Sequence, residues 1–422
     1  MNPKIGVIAD DFTGATDIAG FLVENGMSSI QLTQLPNSGV SFDVDCLVVS
    51  LKSRSCPSEQ AVRDSLAALK WLTEQGCNQL YFKYCSTFDS TAEGNIGPVT
   101  DALLDEMNEP FTILCPSLPV NGRTVYNGYL FVFNQLLSDS GMRNHPINPM
   151  TESNVVSLME SQSKGKCGLI DVTTVELGSE AIQRKIESLI GEGYRYAIVD
   201  ALTQQHLDLI GHATKELRLV TGGSGLASGI AKAHLSHSDS SCASEQGYPV
   251  KAKSVVLSGS CSVMTNKQVE QYKSKSQVSS FAVDVESCLS DSNYVEFVTQ
   301  WYENTFDANH LAPIIYATAN SEQLKKIQQQ YGVKPASEAI ETFFEQLAKR
   351  LRDNDVRNFI VAGGETSGAV TKGLNINGFH IGPQIAPGVP WVKSLDEQIS
   401  LALKSGNFGD EHFFEKAQDF WL

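Results

Sequence analysis

The sequence predicts an α/β protein of two doubly wound domains, with mainly parallel sheets and an active-site cleft between the domains. Three observations carry that reading. Short apolar runs of strand length alternate with segments whose apolar residues recur at helical spacing. The chain has 422 residues, enough for two separate cores. Between about residues 236 and 252 the composition turns to Ser, Asp, Gly and Pro, as linkers do. The expected division is an N-terminal domain at 1–236, a linker at 237–253 and a C-terminal domain at 254–422.

The first element is the apolar run at 5–9, which ends in two adjacent carboxylates, Asp10 and Asp11. A turn through Gly14 follows, then a helical stripe of Ile18, Phe21 and Leu22 that closes at Glu24-Asn25-Gly26. A second strand at 45–51 runs into Lys52-Ser53-Arg54, and a helix at 61–72 puts Val62, Leu66, Leu69 and Leu72 on one face. A third strand at 80–84 leads to Asp89-Ser90-Thr91, a helix at 99–107 and a strand at 111–115. Residues 121–165 are less regular; 121–125 read as a hairpin or an excursion from the sheet, and 145–149 as a loop. Strands resume at 168–172, 196–200 and 217–221, the last entering Gly222-Gly223-Ser224-Gly225. That glycine turn reads either as an anion turn or as close strand–helix packing. Beyond the linker, strands are expected at 254–258, 281–283, 313–317 and 358–362, with a long amphipathic helix at 336–353.

Composition narrows the function. Acidic residues outnumber basic ones, 48 to 32, for a net charge of -16. Phosphate neutralisation needs a basic face, so nucleic acid is not an expected partner. No stretch reaches the roughly 18 apolar residues of a membrane span, and no leader pattern opens the chain. The nine cysteines are scattered, without a Cys-x-x-Cys pair, and read as reduced thiols of a cytoplasmic protein. The eight histidines show no metal-ligand spacing, and the metal-binding residues stay unknown.

Two clusters carry chemistry. Asp10 and Asp11, Lys52 and Arg54, and Asp89 with Ser90 follow three successive strands, and ligands in open α/β sheets sit beyond the carboxyl ends of strands. Arg54 and Lys52 suit a carboxylate, and an aspartate could deprotonate a hydroxyl. The plainer alternative is that Asp10 and Asp11 cap the helix, with Thr13 sharing the task. The second cluster is glycine-rich. Ser258-Gly259-Ser260 and Ala362-Gly363-Gly364-Glu365-Thr366 each follow a strand and precede a helix, where exposed N–H groups bind phosphate. The stretches 382–388 and 405–409, which includes Gly406, supply further turns that could wall a nucleotide. Neither the P-loop nor G-x-G-x-x-G spacing is present.

Ile8-Ala9-Asp10-Asp11-Phe12-Thr13-Gly14-Ala15-Thr16-Asp17 resembles the N-terminal signature of the four-carbon acid sugar kinases. The two glycine motifs resemble that family's nucleotide motifs, in order, so the resemblance covers essentially the whole chain. It implies that the N-terminal domain holds the sugar acid and the C-terminal domain ATP, with Mg2+ bridging the phosphates. Taken with the strand-end cluster, it makes Asp10, Asp11, Lys52, Arg54, Asp89 and Ser90 the candidate substrate contacts. Nucleotide contacts fall at Ser258, Gly259, Ser260, Ala362, Gly363, Gly364, Glu365, Thr366 and Gly406. Asp11 is taken before Asp10 as the base, because it lies further from the buried strand, and both stay candidates. The run Asp89-Ser90-Thr91-Ala92-Glu93-Gly94-Asn95 looks like the branch acting on 3-oxo-tetronates. Threonate or erythronate kinases are the alternative, and a non-catalytic binding regulator is the alternative outside the kinases. Glu93 stands where many members carry arginine, so no basic contact is transferred there. Expected partners are the four-carbon acid and ATP; a homo-oligomer is left open.

Overall fold

The structure, a computed structural model, describes residues 4–36, 40–144, 148–235 and 243–421. The last residue of the expected N-terminal domain, 236, the start of the expected linker, 237–242, and most of the loop at 145–149 lie outside the described residues. The chain divides into two compact units, Met1–Ala243 and Ser244–Leu422.

The first unit begins β1 (Lys4–Ala9), α1 (Phe12–Glu24), β2 (Ser29–Leu32), β3 (Cys46–Ser50), α2 (Ser58–Glu74), β4 (Cys77–Lys83), α3 (Ile96–Met107) and β5 (Thr112–Cys115). An excursion of three short antiparallel strands follows: β6 (Arg123–Tyr126), β7 (Tyr129–Val132) and β8 (Gln135–Leu136). The unit ends with α4 (Val155–Gln162), β9 (Cys167–Ile170), α5 (Val172–Glu176), α6 (Ser179–Gly191), β10 (Tyr196–Val199), α7 (Gln204–Thr214), β11 (Leu219–Gly222) and α8 (Gly225–His234).

Its main sheet has the order β2-β3-β1-β4-β11-β5-β10-β9, parallel throughout. Every residue of β3, β5 and β10 is buried, as strands covered on both faces must be. The helices form two packed rows, α2 on α3 on α4, and α1 on α8 on α7 on α6, which is what double winding requires. The sequence pattern does not show β2, because Gln31 interrupts its apolar run. In the fold that side chain is buried and satisfied: its Oε1 accepts from Thr16 Oγ1 at 2.8 Å. The excursion is a true hairpin. Asn127 (φ 50°) and Gly128 (φ 76°) make its left-handed turn, and the buried Asp200 carboxylate accepts from their N–H groups at 2.7 and 2.9 Å.

The second unit contains β12 (Lys253–Ser258), α9 (Val263–Lys273), β13 (Ser280–Ala282), α10 (Val285–Ser290), α11 (Tyr294–Thr305), β14 (Ile314–Tyr316), α12 (Ser321–Tyr331) and α13 (Val333–Asp353). It continues β15 (Val356–Ala362), α14 (Gly364–Gly373), β16 (Gly378–Ala386), β17 (Val389–Ser394), β18 (Ser400–Lys404) and α15 (Phe413–Lys416). The order is β13-β14-β12-β15-β18-β17-β16; the first five are parallel, and β17 and β16 add antiparallel. The stretch 382–388, expected as a turn, is therefore mostly strand. Only Pro387-Gly388 reverses the chain, with Gly388 at φ 76°. Gly382 is there for close approach, since a Cβ would lie 2.2 Å from the Gly247 carbonyl oxygen. Trp391, Tyr272, Phe413 and Phe414 fill this unit's core, and the Trp391 indole donates to Ala417 O at 3.0 Å.

No helix among the described residues is long and apolar enough to cross a membrane. The eight described cysteines are all free.

Candidate active site

In the first unit β3, β1 and β4 are adjacent and parallel, with Ala9 in register with both Ser50 and Lys83. The turns that follow them therefore leave the sheet at one edge. Asp10 is tied into both neighbours: its N–H donates to Lys83 O at 3.0 Å, and its carbonyl accepts from Ser53 N at 2.9 Å and Arg54 N at 3.2 Å. Its side chain takes the Arg54 guanidinium bidentately, Nε to Oδ2 at 2.9 Å and Nη2 to Oδ1 at 2.8 Å. Asp10 is only 6% exposed.

Arg54 Nη2 also lies 2.8 Å from Asp11 Oδ1. Burial alone would lower the guanidinium's pKa, but Asp10 and then Asp11 push it up. Asp11 is the N-cap of α1, its Oδ1 accepting from Gly14 N at 2.8 Å. Capping is real, and Asp11 performs it. Yet its side chain remains 30% exposed, and Oδ2 carries no hydrogen bond among the described residues. Burial first, and then the neighbouring Asp10, raise the Asp11 pKa, against the opposing pull of Arg54 and Lys83.

Lys83 was not among the expected site residues. It is 3% exposed, and its Nζ donates to Tyr84 O at 2.6 Å. A Cβ on Gly14 would sit 2.4 Å from Asp11 Oδ1 and 2.9 Å from Lys83 Nζ, so only glycine lets the helix start come this close. The same amine opposes Asp17, whose pKa is raised chiefly by burial. Asp17 accepts from Ser224 Oγ, while its buried Oδ1 has no partner among the described residues. Ser224 comes from the Gly222-Gly223-Ser224-Gly225 turn. That turn is tightly packed, since a Cβ on Gly222 would meet Cys115 O at 2.4 Å.

Asp89 and Ser90 join the edge beside Asp10 and Arg54, where together with Ser53 and Asn95 they line a small pocket. Asp89 Oδ1 accepts from Thr87 Oγ1 at 2.7 Å, and Ser90 Oγ donates to Gln162 Oε1 at 2.7 Å. Asn95, a second residue not expected, donates to Ser53 O at 2.7 Å and Cys56 O at 2.9 Å, and so shapes the Arg54 loop. Lys52 is exposed and forms no ion pair among the described residues; Glu93 is exposed too. Arg123 stacks over Phe133 at 5.5 Å and serves its own hairpin.

In the second unit the glycine motifs meet at the carboxyl ends of β12, β15 and β18, where Ser258 pairs with Ala362 and Ala362 with Lys404. The N–H groups of Gly259 and Ser260 donate to Ala362 O at 3.0 and 3.2 Å. A Cβ on Gly259 would lie 2.3 Å from Thr366 Oγ1. Gly363 adopts φ 129°, a backbone region that disfavours any side chain, and opens α14. Gly364 and Glu365, in the first turn of α14, are exposed. Gly406 closes the group: a Cβ there would lie 2.7 Å from Ser260 Oγ. Its carbonyl accepts from Ser262 Oγ at 2.6 Å and Thr265 Oγ1 at 2.7 Å. Lys404, also not expected, donates from Nζ to that carbonyl at 3.1 Å, and is 1% exposed. No group of three or more His, Cys, Asp or Glu side chains that could hold a metal occurs among the described residues.

Family comparisons divide the chain in a similar way. A sugar-binding N-terminal domain matches residues 5–230, and a nucleotide-binding C-terminal domain matches 255–414. A 3-oxo-tetronate kinase of Brucella melitensis is 56% identical over 98% of this chain and 95% of its own length. The 3-oxo-tetronate kinase of Escherichia coli is 54% identical over 91% of this chain and 98% of its own. A solved structure from Salmonella typhimurium has a TM-score of 0.93 at 55% identity, covering 98% of each chain. Haemophilus influenzae protein HI1011 gives 0.88 at 53% identity, over 99% of this chain and all of its own.

Proposed function

The chain belongs to the four-carbon acid sugar kinase family, and from that premise we propose that it phosphorylates the O4 hydroxyl of a 3-oxo-tetronate with ATP, giving the 4-phosphate. The observation that carries this reading is the presence in one chain of two unlike strand-end sites. One is a cluster of carboxylates and cations around Asp10, Asp11, Arg54 and Lys83. The other is a crowded group of small residues and hydroxyls around Gly259, Gly363 and Gly406 at the N-terminus of α14. There the N–H groups of Gly259, Ser260 and Gly363 are themselves bonded to Ala362 O and Lys404 O, so the helix start is what is left open. The first fits a small hydroxy acid and the second a polyphosphate.

Their unlike surroundings support different roles for the two aspartates. Both Asp10 oxygens are taken by Arg54, which makes Asp10 the anchor of the loop. Asp11 keeps one oxygen open and has a raised pKa, the properties of a proton acceptor. In the reaction the O4 hydroxyl gives its proton to Asp11 as its oxygen attacks the γ-phosphorus. The bond to the bridging oxygen then breaks, and ADP leaves with its electron pair. The cations of the first unit offset the substrate carboxylate; the Lys83 ammonium, unlike the Arg54 guanidinium, is not locked in a bidentate pair. Mg2+ usually keeps several waters and takes only one or two protein carboxylates besides the nucleotide phosphates. The exposed Glu365 at the start of α14 fits that sparse donor set. When bound, the ion would neutralise phosphate charge. The protein is expected in the cytoplasm.

The test is ADP release with ATP, Mg2+ and a panel of acids. Turnover should be highest with the 3-oxo acid and lower with D-threonate and D-erythronate. If no acid raises ADP above the acid-free control, the kinase reading fails.

A further inference from the structure

Lys404 ends β18 with its side chain turned into the protein, 1% exposed. Its Nζ donates to Thr265 Oγ1 at 3.0 Å, Ser405 O at 3.1 Å and Gly406 O at 3.1 Å. The three ammonium protons are thus satisfied by neutral oxygens. No counter-ion stands beside it among the described residues. From α9 it meets the Thr265 hydroxyl, and from α15 the Phe413 ring, 5.9 Å away. On β15 its partner in register is Ala362, and on β17 the nearest paired residue is Trp391, opposite Ala402. None of these is titratable or charged. The helix α14, which also packs against β18, carries Glu365, exposed in its first turn, and Lys372, paired with Glu345. On α15, Glu415 pairs with Lys275 and Lys416 with Asp410.

An unpaired buried cation is costly, and proteins ordinarily avoid one. Here it lies beneath the turn that joins Ser260, Ser262 and Gly406. The Gly406 carbonyl collects Lys404 Nζ, Ser262 Oγ and Thr265 Oγ1, so its acceptor capacity is fully engaged within the protein. The N–H groups of Gly406 and Asn407 have no partner among the described residues. Successive main-chain N–H groups left unbonded at a turn are available to an anion.

We propose that Lys404 is a positioning residue of the nucleotide seat: it clamps the Gly406 turn and holds a positive charge that the phosphates of ATP complete. This rests on the reading of the second unit as the nucleotide site. Burial alone lowers the free amine to about 7, so near neutral pH it is about half protonated. Bound phosphates favour the charged form and raise that pKa, so binding draws in a proton. ATP affinity should therefore be greatest when the amine is already charged, and should weaken as pH climbs above about 7.

The experiment titrates ATP with magnesium into the full chain by calorimetry, in buffers of different ionisation enthalpy, between about pH 6 and pH 9. Lys404→Met keeps the length and removes charge and donors; Lys404→Gln keeps a donor and removes the charge. Both should bind ATP about tenfold more weakly or worse, which corresponds to about one pKa unit of linkage. Both should also lose the proton uptake that the unsubstituted chain shows. The ligand-free Met variant should melt no lower than the parent, because a buried unpaired charge is gone. Equal affinity and equal proton uptake in parent and variants would overturn the proposal. So would ligand-free Met and Gln variants that both melt well below the parent, which would make the lysine a structural strut. A parent chain that bound no ATP would sink the nucleotide reading itself, a separate result.

Discussion

At the carboxyl edge of the first unit's sheet, charges of both signs are packed in contact; the corresponding edge of the second unit is built from main chain, hydroxyls and one buried amine, with Glu365 exposed beyond them on α14. In the first, Arg54 bridges Asp10 and Asp11, and Lys83 opposes Asp11 and Asp17. In the second, Lys404 meets only oxygens without formal charge. If the first edge accepts the proton and the second holds ATP, as proposed, the difference follows from those two tasks. Accepting a proton needs a carboxylate whose affinity is tuned by neighbours, and tuning needs charges of both signs. Holding a polyphosphate needs surplus positive potential, and an internal carboxylate would cancel it.

The sharpest break of this contrast is Asp11→Asn. Turnover should fall about 10²- to 10⁴-fold, the usual worth of a general base, while melting stays near the parent, because Asn caps a helix about as well as Asp. Near-normal turnover would remove Asp11 from the chemistry. Next, Arg54→Met leaves the buried Asp10 without its partner and should cost about 3 kcal/mol in denaturant unfolding. Adding Asp10→Asn should recover part of that loss; no recovery would mean that the charges in the first unit do not neutralise each other.

A mirrored pair of glycine variants comes third. Gly14→Ala forces a Cβ against Asp11 and Lys83, and Gly259→Ala forces one against Thr366. The first should raise KM for the acid about tenfold and spare ATP; the second should do the reverse. Crossed effects in steady-state kinetics would dissolve the division of labour. The smallest effect is in pH. Asp11 must be ionised to accept a proton, and its pKa is raised, so kcat/KM should be full above that raised value and fall as pH drops through it. The acid limb should then lie above the ordinary carboxylate value of 3.8 and vanish in Asp11→Asn. A limb at the ordinary value would show that the crowding at Asp11 has no electrostatic consequence.

Much of this was legible in the chain itself. The apolar runs before Asp10, Arg54 and Asp89 marked strands, and their adjacency in the sheet brings those turns to one edge. The glycine motifs likewise fall on adjacent strand ends. The buried lysines were not legible, because a lysine closing an apolar run reads as a solvated strand end. Nothing in Leu80-Tyr81-Phe82-Lys83 or Leu401-Ala402-Leu403-Lys404 tells which way the amine turns. Lys52 shows the opposite case: its type and place suggested a carboxylate seat, and the side chain is exposed. The antiparallel β16 and β17 were hidden by glycine and proline in 382–388, which suit a turn as well as a strand in close contact.

The backbone of Asp10 has one more consequence. Its N–H is bonded to Lys83 O, and its carbonyl takes two amides from the Arg54 loop, so the acidic turn is an extension of the sheet. Amide deuterium exchange at Asp10 should thus be governed by opening of the β1–β4 pair, and its rate should match that of neighbouring strand amides. Loops at ligand sites commonly exchange fast and settle only when occupied. Here the hydrogen isotope should wash out slowly before any acid is added, and adding one should change it little.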